Sequence, residues 1–218
     1  MISKSFCINA VLFDFDGTLT KPGALNFPLL KQTIGCPSHL PVLEFIDSLP
    51  TSDEKDDTIS LLERFETDAA ANSEPNDGAE SLIRYLRSKG LGMGIITRNR
   101  LTSIERALQN FESITSSCFE VIISRNTPVK PKPSGDGIRL AAQKLNLDVT
   151  EVLMVGDYIF DIQAGKSAGC VTAFLDYGTT SGDVKIDSDF TLSHLQAIKE
   201  IPGLGLPSGG EEPARPFG

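Results

Sequence analysis

Two aspartates, Asp14 and Asp16, stand one residue apart directly after the short apolar run 11–13. The apolar run predicts a buried strand, and alternate side chains of a strand share a face. Both carboxylates are therefore expected to point into one pocket at the end of the strand. Because two carboxylates so close together repel unless a cation or a shared proton neutralises them, the pair indicates a site of metal-assisted chemistry.

Further polar residues follow later segments whose composition predicts strands or the loops after them. In open α/β sheets, ligands bind beyond the carboxyl ends of the strands, so these residues are expected to gather beside the first two aspartates. The set comprises Thr97, Arg98, Lys130, Asp157 and Asp161. Several acids, one hydroxyl and one lysine suit a phosphoryl group held beside Mg²⁺.

The pattern of apolar residues divides the chain into two kinds of structure. Residues 1–20 and 75–202 alternate between short apolar strands and amphipathic helices, which predicts an α/β, Rossmann-like parallel sheet covered by helices on both faces. Residues 21–74 show only helical spacing and predict a small inserted all-α unit. Residues 203–218, rich in Gly and Pro, predict a flexible tail.

The individual elements are predicted from their apolar spacing and from the residues that begin and end them. The predicted strands are 11–13, 93–96, 121–123, 152–155 and 171–175, with a possible edge at 189–191. The predicted helices are 27–34, 42–49, 51–71, 79–88, 103–111, 137–145 and 159–168.

Composition excludes several classes of function. The formal net charge of −9 and the pI near 4.7 argue against binding to nucleic acid or to an anionic membrane, although a site can still be locally positive. The four cysteines form no C-x-x-C pair, which favours a reduced, intracellular setting. No apolar run approaches the roughly 20 residues of a membrane span, and the first strand leaves no room for a secretory signal. We therefore expect a cytoplasmic protein whose partner is a small phosphorylated metabolite.

Four motifs in order resemble those of the haloacid dehalogenase-like (HAD) superfamily, over about residues 10 to 175. The motifs are Asp14-x-Asp16-Gly17-Thr18, the strand that ends in Thr97, Lys130-Pro131-x-Pro133, and Gly156-Asp157-x-x-x-Asp161. The segment 21–74 lies where that superfamily places its C1 cap. Phosphoglycolate phosphatase-like chains look nearest in the lysine loop and in the rhythm of the strands.

The resemblance implies a role for each of the two aspartates of the first motif. Asp14 would be the nucleophile that forms an aspartyl-phosphate, and Asp16 would be the general acid and base. The acid at position 16 favours phosphate-ester chemistry, because the dehalogenase and phosphonatase branches lack it.

The resemblance also implies how the phosphoryl group and Mg²⁺ would be held. Thr97 and Lys130 would bind the phosphoryl oxygens, with Arg98 adding a donor. Asp14, the backbone carbonyl of Asp16 and Asp157 would ligate Mg²⁺, and Asp161 would support them through water or through the lysine.

Several alternatives to these roles stay open at this point. Lys132 also precedes a proline, and Lys130 is preferred over it only because it matches the K-P-x-P form. Arg98, Asn99 and Arg100 could line the site, but Asn99 is interpreted as a helix cap and Arg100 as a solvated charge.

The function expected is a Mg²⁺-dependent phosphatase that hydrolyses a small phosphomonoester. One alternative is a phosphosugar mutase of the same superfamily, and another is a non-catalytic phosphate-binding or regulatory module on the same fold. The cap would select the leaving group, but none of its residues forms a recognisable signature.

Overall fold

A six-stranded parallel sheet forms the centre of the computed structural model, which describes residues 7–178 and 186–205. The strand order is β3-β2-β1-β4-β5-β6. The strands are β1 (Ala10–Phe13), β2 (Gly92–Ile96), β3 (Val121–Ile123), β4 (Val152–Gly156), β5 (Val171–Leu175) and β6 (Phe190–Leu192). β1 is central and wholly buried because it pairs with β2 on one side and with β4 on the other.

Seven α-helices accompany the sheet in the described part of the chain. They are α1 (Phe27–Ile34), α2 (Val42–Ser48), α3 (Ser52–Asn72), α4 (Ala79–Ser88), α5 (Leu101–Leu108), α6 (Asp136–Lys144) and α7 (Ile159–Ala168). The predicted α/β class with a parallel sheet is confirmed, and the predicted helices differ from these bounds by three residues at most.

Successive residues of β1 supply two separate cores, because neighbouring side chains of a strand point to opposite faces of the sheet. Val11 and Phe13 pack in one core with apolar residues of α4 and α5. Ala10 and Leu12 pack in the other core with residues of α6 and α7. Helices therefore cover both faces, which leaves the carboxyl-end edge of the sheet for polar residues.

The helices α1, α2 and α3 form a unit that we call the helical insert (residues 21–74). It has a small apolar cluster of its own, built from Leu30, Val42, Ile46 and Leu62. Its long helix α3 begins at a capping box, in which Thr51 and Glu54 each accept a hydrogen bond from the other's backbone N–H. The insert is thus an ordered element that follows directly on the first acidic motif.

The last described residues lie against the start of β1. Leu204 forms a parallel bridge with Ile8, and the Gly205 N–H donates to the Ile8 carbonyl at 2.8 Å. The rest of the predicted tail, residues 206–218, lies outside the described residues. Among the helices that the structure describes, none combines the length and the apolar character that crossing a membrane requires.

Candidate active site

The register of the central strands brings the predicted site residues to one edge of the sheet. Phe13 is aligned with Ile95 of β2 and with Val155 of β4, so the residues that follow these three strands meet at the same height. The Asp14 N–H continues this pairing by donating to the Val155 carbonyl at 2.8 Å. Asp14, Thr97 and Asp157 therefore gather where the sheet opens.

The turn after Asp14 is shaped by Gly17, whose φ of +78° lies in the left-handed region. A Cβ at this position would collide with the Asp157 carboxylate, so both the backbone angle and the close approach require glycine. Thr18 Oγ1 donates to Asp157 Oδ1 at 3.4 Å, which ties the turn to the end of β4. Two residues far along the chain hold the turn from behind: the Tyr177 hydroxyl donates to the Gly17 carbonyl at 2.6 Å, and Asn76 Nδ2 donates to the Thr18 carbonyl at 2.7 Å.

The structure corrects the choice between the two lysines of the proline-rich loop. Lys132 is buried, and its Nζ lies 2.5 Å from Asp14 Oδ1 and 2.6 Å from Asp161 Oδ1. Lys130 is exposed and makes neither contact. The loop is not extended between the two lysines, because Lys132 begins a turn in which the Ser134 N–H donates to the Pro131 carbonyl at 2.9 Å, and the side that faces the aspartates carries residue 132. The preference for Lys130, which rested on the form of the motif, placed the ammonium group two residues too early.

Asp14, Asp157 and Asp161 form what we call the acidic cluster, in which one carboxylate oxygen of each lies within 4.8 Å of the others. Burial and the neighbouring carboxylates raise the pKa of Asp157 to about 8. Burial, with the charge of Asp14, likewise raises the pKa of Asp161 to about 6, although Lys132 opposes the shift. Such shifts mean that the cluster carries more negative charge than the single ammonium group of Lys132 balances. Hard carboxylate oxygens at this spacing suit a divalent cation such as Mg²⁺.

Within the acidic cluster, Asp161 differs from the other two carboxylates. Its Oδ1 accepts from Lys132, and its Oδ2 accepts from the Tyr158 N–H at 3.0 Å. Burial alone would lower the pKa of Lys132, but the carboxylates of Asp14 and Asp161 raise it, so the ammonium form is fixed. This arrangement suits a residue that orients Lys132 and supports the cluster rather than one that ligates a metal directly.

Asp16 faces a different set of neighbours from Asp14. The side-chain amide of Asn99 donates to Asp16 Oδ2, which fixes the orientation of the carboxyl group. Burial, followed by the charges of Asp14 and Glu66, raises the pKa of Asp16 to about 7. A carboxyl group with this pKa can donate and accept a proton near neutral pH.

Thr97 is buried at the end of β2, and its Oγ1 accepts a hydrogen bond from the Asn99 N–H at 3.1 Å. The Arg98 side chain contacts the helical insert and α7. It pairs with Glu44 of the helical insert at 2.6 Å and lies over the ring of Phe160, 5.1 Å from its centroid. Thr97 thus lies where the motif places it, whereas the Arg98 guanidinium contacts the insert.

The structure brings several residues to the site for which the sequence favoured another role or gave none. Asn99 is not the cap of α5, because the residue at that position is Arg100 and the Asn99 side chain points to Asp16. Arg100 is not simply solvated either, since it pairs with Glu63 at 2.5 Å. Asn99 had a signal in its place three residues after the end of β2. The remaining residues, Asn76, Tyr177, Glu66 and Arg125, carried none.

Comparison with known proteins agrees with the geometry. The haloacid dehalogenase-like hydrolase family matches residues 8–169. An uncharacterised hydrolase of Saccharomyces cerevisiae is 38% identical over 170 residues, which are 77% of each chain. A phosphoglycolate phosphatase of Shigella boydii is 29% identical over 182 residues, which are 82% of this chain and 68% of that one.

A solved structure extends the likeness to the fold. CbbY from Rhodobacter sphaeroides, in complex with phosphate, superposes with a TM-score of 0.67 at 19% identity, over 91% of this chain and 100% of that one. The four motifs, the sheet order and these matches lead to one conclusion. The chain is an enzyme of the haloacid dehalogenase-like hydrolase family.

Proposed function

We propose that the protein is a Mg²⁺-dependent phosphatase that hydrolyses a small phosphomonoester through an aspartyl-phosphate on Asp14. The observation that carries the proposal is the pairing of Asp14 with the buried Lys132 beside an Asp16 whose pKa is raised to about 7. A phosphoglycolate phosphatase among the relatives supports phosphate-ester chemistry. A cytoplasmic setting is part of the proposal, and the wide spacing of the four cysteines, which form no C-x-x-C pair, supports it.

In the first half of the proposed reaction, a carboxylate oxygen of Asp14 attacks phosphorus, and the bond from phosphorus to the leaving oxygen breaks. Asp16 donates its proton to that oxygen, so that the leaving group departs as a neutral alcohol. Lys132 and Thr97 bind phosphoryl oxygens and stabilise the charge that the transition state spreads over them.

In the second half, Asp16 has become a carboxylate and takes a proton from water as the water oxygen attacks the phosphorus of the aspartyl-phosphate. The bond between phosphorus and Asp14 breaks, which restores both aspartates and releases inorganic phosphate. Asn99 keeps the Asp16 carboxyl group in one orientation during both proton transfers.

Asp14, Asp157 and the backbone carbonyl of Asp16 would hold Mg²⁺. When bound, the cation neutralises the carboxylates and lets an anionic phosphate approach them. Asp161 holds Lys132 in place beside this site.

The helical insert is proposed to act as a cap over the site. The division of the chain is then an α/β unit, residues 1–20 and 75–202, with the cap inserted between its two parts. Residues 21–74 carry Glu44, Glu63 and Glu66, each of which pairs with an arginine of the surrounding α/β unit. A cap of this kind excludes water and contacts the leaving group.

The proposal is tested with p-nitrophenyl phosphate and Mg²⁺. Wild-type protein is expected to release phosphate, and Asp14→Asn should reduce the rate by at least about a thousandfold, because the nucleophile is lost. Asp77→Asn is the matched control, since Asp77 is an exposed carboxylate away from the cluster. Turnover that survives in Asp14→Asn would contradict the assignment, and phosphorus NMR would separate net release from isomerisation of a sugar phosphate.

A further inference from the structure

Four ion pairs join the helical insert to the α/β unit in the described residues: Lys21 pairs with Asp77, and three arginines each pair with a glutamate. One of the three arginine–glutamate pairs differs from the other two. Arg98 pairs with Glu44, and Arg100 pairs with Glu63; those glutamate side chains are 44% and 33% exposed. The side chain of Glu66 is only 3% exposed. Both of its oxygens are engaged by Arg125, at 2.8 and 2.6 Å.

The third pair lies beside the proposed acid and base. The backbone N–H of Arg125 donates to the Asn99 backbone carbonyl at 2.9 Å. The side chain of the same asparagine donates to Asp16. Glu66 is close enough to Asp16 for its charge to raise the pKa of that carboxyl group. Since Asp16 would protonate the leaving oxygen, the Arg125–Glu66 pair lies on the leaving-group side of the site.

Arg125 also reaches a cavity of about 80 Å³ that adjoins the phosphoryl-binding residues. Thr97, Ser124, Lys130 and Lys132 contribute to the same wall. With Ser134, the lining therefore includes three cationic residues and three hydroxyl-bearing residues. That chemistry suits an anion in addition to the phosphoryl group at Asp14.

A buried ion pair adds little net stability, because the loss of hydration offsets the attraction between the charges. Burial raises the pKa of Glu66, which is the sign of that cost, although Arg125 opposes the shift. A guanidinium group binds any carboxylate or phosphate with the same two parallel hydrogen bonds. An anionic group of a ligand can therefore take the place of Glu66 without a new geometry at Arg125.

We propose that Arg125 binds a second anionic group on the leaving-group part of the substrate, and that Glu66 occupies this position until the ligand arrives. The substrates are then small phosphomonoesters whose leaving group carries a carboxylate or a second phosphoryl group. The inference rests on the proposed function in placing the first phosphoryl group at Asp14.

The test measures binding rather than turnover, by calorimetry with non-hydrolysable phosphonates in the presence of Mg²⁺. Phosphonoacetate and 3-phosphonopropionate are compared with the amides in which the carboxylate is replaced by a neutral carboxamide and the phosphonate is unchanged. Methylenediphosphonate represents a second phosphoryl group. Wild-type protein is expected to bind the acidic probe about tenfold to a hundredfold more tightly than its amide, as for a hydrogen-bonded charge pair. The stronger of the carboxylate and diphosphonate arms identifies the second group.

Three variants distinguish a ligand-binding role of Arg125 from an ion pair that only holds the insert against the α/β unit. Arg125→Gln should remove the preference for the acidic probe, and Arg100→Gln, which breaks a pair of the same interface, should retain it. Glu66→Gln should strengthen binding of the acidic probe, because the competing carboxylate is gone.

Three results would overturn the inference: no preference in the wild type, a preference that survives Arg125→Gln, or equal weakening of all probes in Glu66→Gln. The last result would mean that the Arg125–Glu66 pair only holds the insert against the α/β unit. Absence of turnover on every phosphate ester, with the binding preference intact, would instead refute the phosphatase assignment alone.

Discussion

The acidic cluster and the interface between the helical insert and the α/β unit treat charge in opposite ways. In the cluster, three carboxylates share one ammonium group, and the pKa of Asp157 rises to about 8 because of burial and repulsion. At the interface, each of three arginines has its own glutamate. The cluster is therefore built to receive a cation, whereas the interface is already neutral.

This difference separates two kinds of contribution to a reaction. Unbalanced charge next to the reacting atoms is an electrostatic cost that the fold carries until a ligand relieves it, and it is typical of functional sites. Balanced pairs at a boundary between units hold a geometry at little net energy. The Arg125–Glu66 pair is a balanced pair at the boundary between units, but it also lies beside Asp16, next to the reacting atoms.

Among the tests of this difference, the largest effect is expected from Lys132, the ammonium group that contacts the cluster. Lys132→Met should lower the rate on p-nitrophenyl phosphate by at least about a hundredfold, because the transition-state charge loses its donor. It should also cost about 3 kcal/mol of folding free energy without Mg²⁺, since Asp14 and Asp161 are left buried without their partner. Rates are measured well below the melting temperature, and stability by urea unfolding.

Lys130→Met is the matched control, because Lys130 is exposed two residues earlier in the same loop. It should change the rate by less than about threefold and leave stability within about 0.5 kcal/mol. A larger loss in Lys130→Met than in Lys132→Met would restore the choice that the motif alone suggested.

The cluster was predictable in large part, because strand register is encoded locally. Apolar runs gave the strands, and the carboxyl ends of parallel strands must meet, so Asp14, Thr97 and Asp157 were expected together. The lysine was not resolved, since Lys130 and Lys132 both precede proline and only the path of the loop decides which one faces Asp14.

The interface was not predictable from local pattern. Glu66 and Arg125 lie 59 residues apart, and their contact depends on how α3 packs against the end of β3. Helical spacing marks Glu66 only as a charged residue of an amphipathic helix, which is normally solvated. The prediction that Asn99 caps a helix was wrong for a related reason, because a polar residue before a helix is as well suited to a cap as to a functional site.

An intermediate effect is expected from removing one carboxylate of the cluster. The folded-state pKa of Asp157 is raised to about 8 from 3.8, so the folded protein binds a proton that the unfolded chain releases. Stability without metal should therefore fall as pH rises from about 4 to about 8. Asp157→Asn imitates the protonated form, and in EDTA at pH 8 it should melt a few degrees above the wild type, with the difference shrinking towards pH 6.

Mg²⁺ should reverse that order. Cation binding stabilises the folded wild type by roughly 2.7 kcal/mol at a hundredfold excess over Kd, and Asp157→Asn should lose most of this gain. Differential scanning fluorimetry with and without Mg²⁺ measures both effects. An equal Mg²⁺-induced shift in the variant and the wild type would show that Asp157 does not hold the cation.

The smallest effect is expected at the interface, in the Arg100–Glu63 pair. Each side chain is 33% exposed, so solvent screens the attraction, and a double-mutant cycle with Arg100→Gln and Glu63→Gln should give a coupling of about 0.5 kcal/mol. Because the pair lies at the boundary of the insert rather than in the cluster, none of the three variants should alter the Mg²⁺-induced shift in melting temperature. A coupling above about 1.5 kcal/mol, measured by urea unfolding, would contradict a weak boundary contact and make this pair a principal fastening of the insert. In that case much of the free energy that holds the insert to the α/β unit would come from one pair of residues, just as the unbalanced charge of the cluster comes from few residues.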